Sequence, residues 1–99
     1  MQFIVRGVDG TDENALQRRM AARENHLAMA KKMYADKRWL YAAAILDEGG
    51  NMIGSVIICD FESEEALRAD WLDREPYILG NVWETVEIVR AQVAPLWDL

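Results

Sequence analysis

The alternation of apolar and polar residues along the 99-residue chain predicts four β-strands. Short runs rich in β-branched and aromatic residues cover residues 2–8, 39–46, 52–61 and 82–89, and turn-forming residues bound each run. The segment at 47–51, with the sequence DEGGN, separates the second run from the third and is typical of a tight turn. These two strands are therefore expected to pair as a β-hairpin.

The two long segments between the strands are predicted to be helices. A first helix is predicted to begin after a cap at Thr11 or Asp12 and to end near Lys37. A second helix is predicted to begin at a Ser63 cap, and Pro76 either ends it or begins a further short turn. The buried stripe of the first helix is expected to consist of apolar residues at helical spacing, namely Leu16, Met20, Leu27, Ala30 and Tyr34.

The resulting βαββαβ order folds most simply into a single domain over residues 1–99. The expected α+β fold is ferredoxin-like, with a four-stranded antiparallel sheet and both helices on one face. The strands at 39–46 and 52–61 are apolar on both sides, so the sheet face without helices is expected to be apolar too. Such a face needs a partner, and we expect a homodimer formed through the sheets. Four tryptophans favour the same view, because tryptophan is enriched at interfaces and in pockets.

Charge and composition exclude several classes of function. The chain carries 17 acidic and 11 basic residues, so a nucleic-acid partner is not expected. Its single cysteine, Cys59, allows neither an internal disulfide nor a thiolate metal cluster, and no metal or cofactor is predicted. No apolar run approaches the ~20 residues that cross a bilayer, and no signal peptide is recognisable. We therefore expect a cytoplasmic protein with no membrane partner.

The one histidine, His26, is the strongest candidate for catalytic chemistry. Histidine is the only side chain whose unperturbed pKa lies between pH 5 and 8, so it can act as a general base when a partner orients it. The candidate carboxylate for this partner stands far downstream, at Glu75. Residue spacing alone favours a structural role for His26, such as a bond to a backbone carbonyl. The choice between a catalytic and a structural role for His26 depends on whether the fold brings it next to Glu75.

Four segments of the chain form a recognisable pattern in their order and spacing. They are Arg23-x-x-His26-Leu27, Gly54-Ser55, Phe61-Glu62-Ser63-x-Glu65-Ala66, and Pro76-Tyr77 before Gly80-Asn81-Val82. With this pattern the whole chain resembles the YciI-like proteins of the dimeric α+β barrel superfamily. That family has Asp-Pro-Tyr where this chain has Glu-Pro-Tyr, so the carboxylate of Glu75 stands on an arm one methylene longer.

The resemblance implies a ferredoxin-like protomer that pairs sheet to sheet, with a histidine–carboxylate pair in a small pocket. His26 is then expected to be the general base and Glu75 its orienting partner, while Arg23 and Ser55 are expected to bind the substrate. These roles predict a cofactor-free lyase, isomerase or dehalogenating enzyme acting on a small organic acid or phenol. A cofactor-independent oxygenase acting on quinols and a non-catalytic dimeric binding or accessory module stay open as alternatives.

Overall fold

The computed structural model describes residues 1–99, and every predicted strand is present within two residues at each end. None of its helices combines the length and the apolar composition that a membrane span requires. The strands are β1 (Gln2–Asp9), β2 (Trp39–Leu46), β3 (Met52–Asp60) and β4 (Trp83–Ala91). The helices are α1 (Ala15–Ala35), α2 (Glu64–Asp70) and α3 (Pro76–Leu79), with 3₁₀ turns at Leu72–Arg74 and Leu96–Asp98.

The four strands form one antiparallel sheet in the order β2-β3-β1-β4. Strand β1 lies inside the sheet, where it pairs with β3 on one side and with β4 on the other. Phe3, Val5, Gly7 and Asp9 of this strand are buried in alternation with more exposed neighbours, so these four face the helices. The strand order and the helices on one face confirm the predicted ferredoxin-like α+β fold.

The core lies between this face of the sheet and the helices. It is a cluster of 13 buried apolar side chains to which both the strands and the helical segments contribute. Trp39, Trp71 and Trp83 belong to the cluster, whereas Trp97 near the C-terminus is 75% exposed. Trp39 and Trp71 meet edge to face with ring centroids 5.0 Å apart, a geometry that adds to the stabilisation from burial. Three of the four tryptophans therefore stabilise the domain itself.

The buried face of α1 is not the predicted apolar stripe. The fully buried side chains of the helix are Ala15, Arg19, His26 and Met33. The exposed members of the predicted stripe, at 43% to 69%, are Leu16, Met20, Leu27 and Tyr34. Only Ala30 of that stripe packs against the core. The prediction was wrong by one residue position, about 100° of helix rotation, because polar side chains occupy two of the inward places.

The helix starts follow the capping prediction in one case and depart from it in another. As predicted, Ser63 caps α2, and its Oγ accepts a hydrogen bond from the backbone nitrogen of Ala66 at 3.0 Å. The predicted cap of α1 was wrong, because the helix begins at Ala15 and no side chain caps it. Asp12 instead accepts two hydrogen bonds from the guanidinium of Arg18, at 2.7 and 2.8 Å. This ion pair holds the loop before α1.

The sheet face without helices carries accessible apolar residues. Ile4 and Val8 point to this face from β1, and Val89 of β4 lies directly opposite Ile4. Their exposed fractions are 37%, 36% and 45%, although Ile4 and Val8 lie on an inner strand of the sheet. The predicted apolar character of this face is therefore present in the structure.

Candidate active site

A cavity of about 160 Å³ lies between α1 and the sheet, on the side of the β2–β3 hairpin. Its polar wall residues are Arg19, Arg23, His26, Ser55 and Tyr77, and the rest of the wall is apolar. No aspartate or glutamate lines it, so the two charged side chains in its wall, Arg19 and Arg23, are both cations. No group of three or more His, Cys, Asp or Glu side chains is placed to hold a metal ion.

The fold brings His26 and Glu75 together at this cavity, although they lie 49 positions apart in the chain. His26 Nδ1 lies 2.9 Å from Glu75 Oε2. The histidine is 7% exposed and the glutamate is fully buried. The inward face of α1 presents the histidine, and the extended backbone of Glu75 immediately precedes α3. Both residues predicted for acid–base chemistry therefore meet in a buried position.

Three donors converge on the carboxylate of Glu75. Oε1 accepts from Trp71 Nε1 at 3.1 Å, and Oε2 accepts from the backbone nitrogen of Tyr77 at 2.9 Å. Because an indole and an amide can only donate, the carboxylate is assigned as the acceptor of the third bond too, with the proton on His26 Nδ1. In the neutral imidazole, Nε2 of His26 then carries a lone pair. It bonds to no protein atom and is not sealed from solvent, so a ligand in the cavity can reach it.

Aromatic rings hold the imidazole of His26 in this orientation. The Tyr77 ring stacks on it, with centroids 3.8 Å apart and 10° between the planes. Trp39 is tilted against it at 5.7 Å, and Trp83 approaches edge-on at 6.2 Å. The short helix α3 therefore supplies both the backbone amide that caps Glu75 and the ring that supports the histidine.

A second polar network lies beside the first and is built around Arg19. The guanidinium donates to both carboxylate oxygens of Asp9, at 3.0 and 3.2 Å, and all of these groups are buried. It also donates to Ser55 Oγ at 2.8 Å, and Trp83 Nε1 donates to the same oxygen at 3.3 Å. A buried cation thus has its countercharge on β1 and a fixed hydroxyl on β3.

The two residues predicted to bind substrate both line the cavity, but they differ in the hydrogen bonds and ion pairs that they make within the chain. Ser55 is 4% exposed and accepts two hydrogen bonds from its neighbours. Arg23 is half-buried in the cavity wall and makes neither a hydrogen bond nor an ion pair within the chain. It is therefore the cation of the wall that a ligand can pair with.

Sequence reasoning missed several residues of the site. Arg19 lies four positions before Arg23 and seven before His26, a spacing that places all three on one helix face. A search for polar residues at helical spacing would have found it. Trp71 and Tyr77, which donate to the carboxylate of Glu75, carry no such signal apart from the Pro-Tyr pair.

The fold and the site together define a ferredoxin-like α+β protein with a histidine–carboxylate pair at a small cavity lined by two arginines. The chain belongs to the YCII-related domain family, which it matches over residues 2–92. Protein YciI of Escherichia coli O6:H1 is 31% identical, over 89% of this chain and 93% of that protein. An uncharacterised protein of Haemophilus influenzae is 38% identical, over 74% of this chain and 80% of the relative. The resemblance found in the sequence is thereby confirmed.

A solved enzyme structure shares the fold. It is the 5-chloro-2-hydroxyhydroquinone dehydrochlorinase (TftG) of Burkholderia phenoliruptrix AC1100 in complex with 2,5-dihydroxybenzoquinone. The TM-score is 0.79, and the match covers 95% of this chain and 96% of the enzyme. The sequence identity is 19%, so the likeness is one of fold.

Proposed function

We propose that this protein is a cofactor-free enzyme in which His26 acts as general base on a small organic acid or phenol. The observation that carries the proposal is the 2.9 Å contact between His26 Nδ1 and Glu75 Oε2 beside the cavity. A carboxylate in this position fixes the tautomer of the imidazole and stabilises the imidazolium that forms when it takes a proton. The accessible Nε2 is the atom that takes it.

The reaction follows from a single proton transfer. Nε2 of His26 takes a proton from the ligand, and the electron pair of the broken bond forms a new double bond within the ligand. In an elimination, the leaving group departs with its own electron pair, and the imidazolium later returns its proton to solvent. In an isomerisation, the imidazolium returns the proton to a different ligand atom. Both reactions need one base and one orienting carboxylate.

Two observations support a monocyclic ligand. The cavity of about 160 Å³ compares with engineered protein cavities of about 150 Å³ that bind benzene. The fold neighbour TftG is named for dehydrochlorination of a chlorinated hydroxyhydroquinone and was solved with a dihydroxybenzoquinone. We therefore place elimination from a substituted six-membered ring first among the reactions of the proposal.

The proposal is tested by turnover of a panel of monocyclic phenols and acids, with 5-chloro-2-hydroxyhydroquinone as the first compound and chloride release as its assay. His26→Ala is expected to lower kcat/KM by about 10²–10⁴-fold, the contribution of a positioned general base. Glu75→Gln is expected to lower kcat, because the neutral amide no longer stabilises the imidazolium. Asn25→Ala, an exposed change on the same helix, is the matched control and keeps full activity.

A His26→Ala variant that folds and turns over substrate like the wild type would contradict the proposed role of the base. His26→Gln serves as a second variant if the alanine variant unfolds, and circular dichroism reports the fold of each. If the folded wild type turns over no compound of the panel but still binds some of them, the protein is instead a binding module.

We also propose that the protein is a homodimer that pairs through the sheet face without helices. The accessible Ile4, Val8 and Val89 on that face support this assembly, because exposed apolar side chains in water favour association. The cavity lies on the helix side of the sheet, away from this proposed contact face.

A further inference from the structure

The hydroxyl of Ser55 can make one further hydrogen bond, and only as a donor. Arg19 Nη2 and Trp83 Nε1 both donate to its oxygen, and neither group can accept a hydrogen bond. A hydroxyl oxygen has two lone pairs, so these two donors occupy both. Its hydrogen has no acceptor within the chain, although the residue is 4% exposed and lines the cavity. Ser55 is therefore fixed as a hydrogen-bond donor toward whatever occupies the cavity.

The hydroxyl of Tyr77 is a second donor on the same wall. The ring is 1% exposed and lies between the imidazole of His26 and the guanidinium of Arg19, whose carbon is 4.6 Å from the ring centre. The hydroxyl makes no hydrogen bond within the chain and is not sealed from solvent. Burial raises the pKa of this phenol, so it keeps its proton at neutral pH.

Arg23 completes this wall as an unpaired cation. Arg23 and Tyr77 line the same cavity, so one ligand can meet both groups. No carboxylate lines the cavity, because Asp9 and Glu75 lie behind the wall and are engaged there. The lone pair of His26 Nε2 is then the principal side-chain acceptor that a ligand meets.

From this inventory we propose that the cavity selects monocyclic ligands with an anionic oxygen, which the hydroxyls of Ser55 and Tyr77 and the guanidinium of Arg23 bind together. This inference rests on the proposed function, since it names the substrate class of the same site and makes Tyr77 a substrate-binding residue. The anionic oxygen lies toward these donors, and the proton to be removed lies toward His26. Negative charge that develops on the ligand during proton transfer is then stabilised by three donors.

The test compares binding of benzoate with binding of benzamide, a neutral compound of the same shape, by titration calorimetry and by tryptophan fluorescence. We expect benzoate to bind and benzamide to bind at least tenfold more weakly, because charge-assisted hydrogen bonds are about twice as strong as neutral ones. Added salt is expected to weaken benzoate binding and to leave benzamide binding unchanged.

Tyr77→Phe is the main variant, because the hydroxyl it removes has no partner within the chain and its loss leaves no buried group unpaired. It is expected to raise the Kd for benzoate about tenfold, and Arg23→Gln is expected to do the same, with the melting temperature of each near that of the wild type. Tyr34→Phe, at a 69% exposed position outside the cavity, is the matched control and leaves the Kd unchanged. Ser55→Ala is a weaker test, since it leaves two buried donors unpaired and destabilises the fold.

Three results would overturn the inference: no benzoate binding by the folded wild type, a benzamide Kd within threefold of that for benzoate, or unchanged benzoate affinity in Tyr77→Phe. These measurements need no turnover, so the binding inference can be contradicted whether or not the catalytic proposal is correct. His26→Ala separates the two further, because it is expected to lower kcat/KM while the three donors still bind benzoate.

Discussion

The carboxylate of Glu75 accepts hydrogen bonds from three separate parts of the chain, and the length of this side chain affects each of these contacts. Its oxygens accept from the indole of Trp71, from the backbone of Tyr77 at the start of α3, and from the imidazole of His26. The family pattern has aspartate here, and the extra methylene of glutamate still allows a 2.9 Å contact with the histidine. The same side chain therefore caps a helix and orients the candidate base. A single residue with two such roles is sensitive to any change of length or charge.

At the same scale, Cys59 is predicted to be chemically silent in the native protein. The residue is fully buried, and burial raises the pKa of its thiol to about 12, while only the thiolate reacts with disulfide reagents. We expect no measurable labelling by a soluble aromatic disulfide at pH 8, and complete labelling once guanidinium unfolds the chain.

The raised pKa of Cys59 also fixes the sign of a pH effect. At a pH above the ordinary pKa of a thiol, the unfolded chain loses the Cys59 proton that the folded chain keeps. This contribution to stability is therefore present at lower pH and declines as pH rises.

The labelling experiment can also contradict the prediction that Cys59 is unreactive. It would do so if the native protein were labelled at pH 8 at the rate seen in guanidinium.

At the scale of elements, the packing of β1 against β4 depends on a glycine. A Cβ at Gly7 would overlap the indole of Trp83, so only glycine lets that ring lie flat over the strand. The indole in turn donates to Ser55, at 3.3 Å. A glycine on one strand therefore positions a hydrogen-bond donor on another, and through it a hydroxyl in the cavity.

Gly7→Ala is predicted to lower the free energy of unfolding by about 1–3 kcal/mol, the usual effect of overpacking a core. Urea denaturation followed by circular dichroism measures this change. Gly49→Ala in the hairpin turn is the control, because a Cβ there meets its nearest atom at an ordinary 3.4 Å, and its effect is expected to stay within about 0.5 kcal/mol. Equal stability of the two variants would show that Trp83 moves aside without loss.

At the scale of the whole molecule, the two faces of the sheet differ in what covers them. One face packs against the helices and carries the cavity, and the other exposes apolar residues such as Ile4 and Val89. A protein of 99 residues buries a smaller share of its surface than a larger one, so pairing of these faces would add to its stability. The proposed dimer and the proposed site are therefore separable by mutation.

Ile4→Lys is predicted to shift the protein from dimer to monomer in sedimentation velocity, because it places a charge in the centre of the proposed interface. Leu79→Lys is the matched control, since Leu79 is 67% exposed on α3 away from that face. Identical sedimentation of the wild type and the Ile4→Lys variant would contradict sheet-to-sheet pairing.

Much of the fold was predictable because it depends on local spacing. The strand positions, the turn at 47–51 and the Ser63 cap each follow from residues within a few positions of one another. The inward face of α1 was mispredicted because Arg19 and His26 occupy it, and a hydrophobic pattern assigns such polar residues to the surface. That mismatch is itself informative, since polar residues on an inward face mark the cavity.

The sequence by itself determined the order of elements, the ferredoxin-like topology, the family and the histidine as candidate base. Only the tertiary structure decided that Glu75 reaches His26, that Arg19 pairs with Asp9 and engages Ser55, and that a cavity lies beside them. The physical reason is distance along the chain. Periodicity and capping act between near neighbours, whereas these contacts join residues 10 to 49 positions apart, and only the packing of helices on the sheet brings them together.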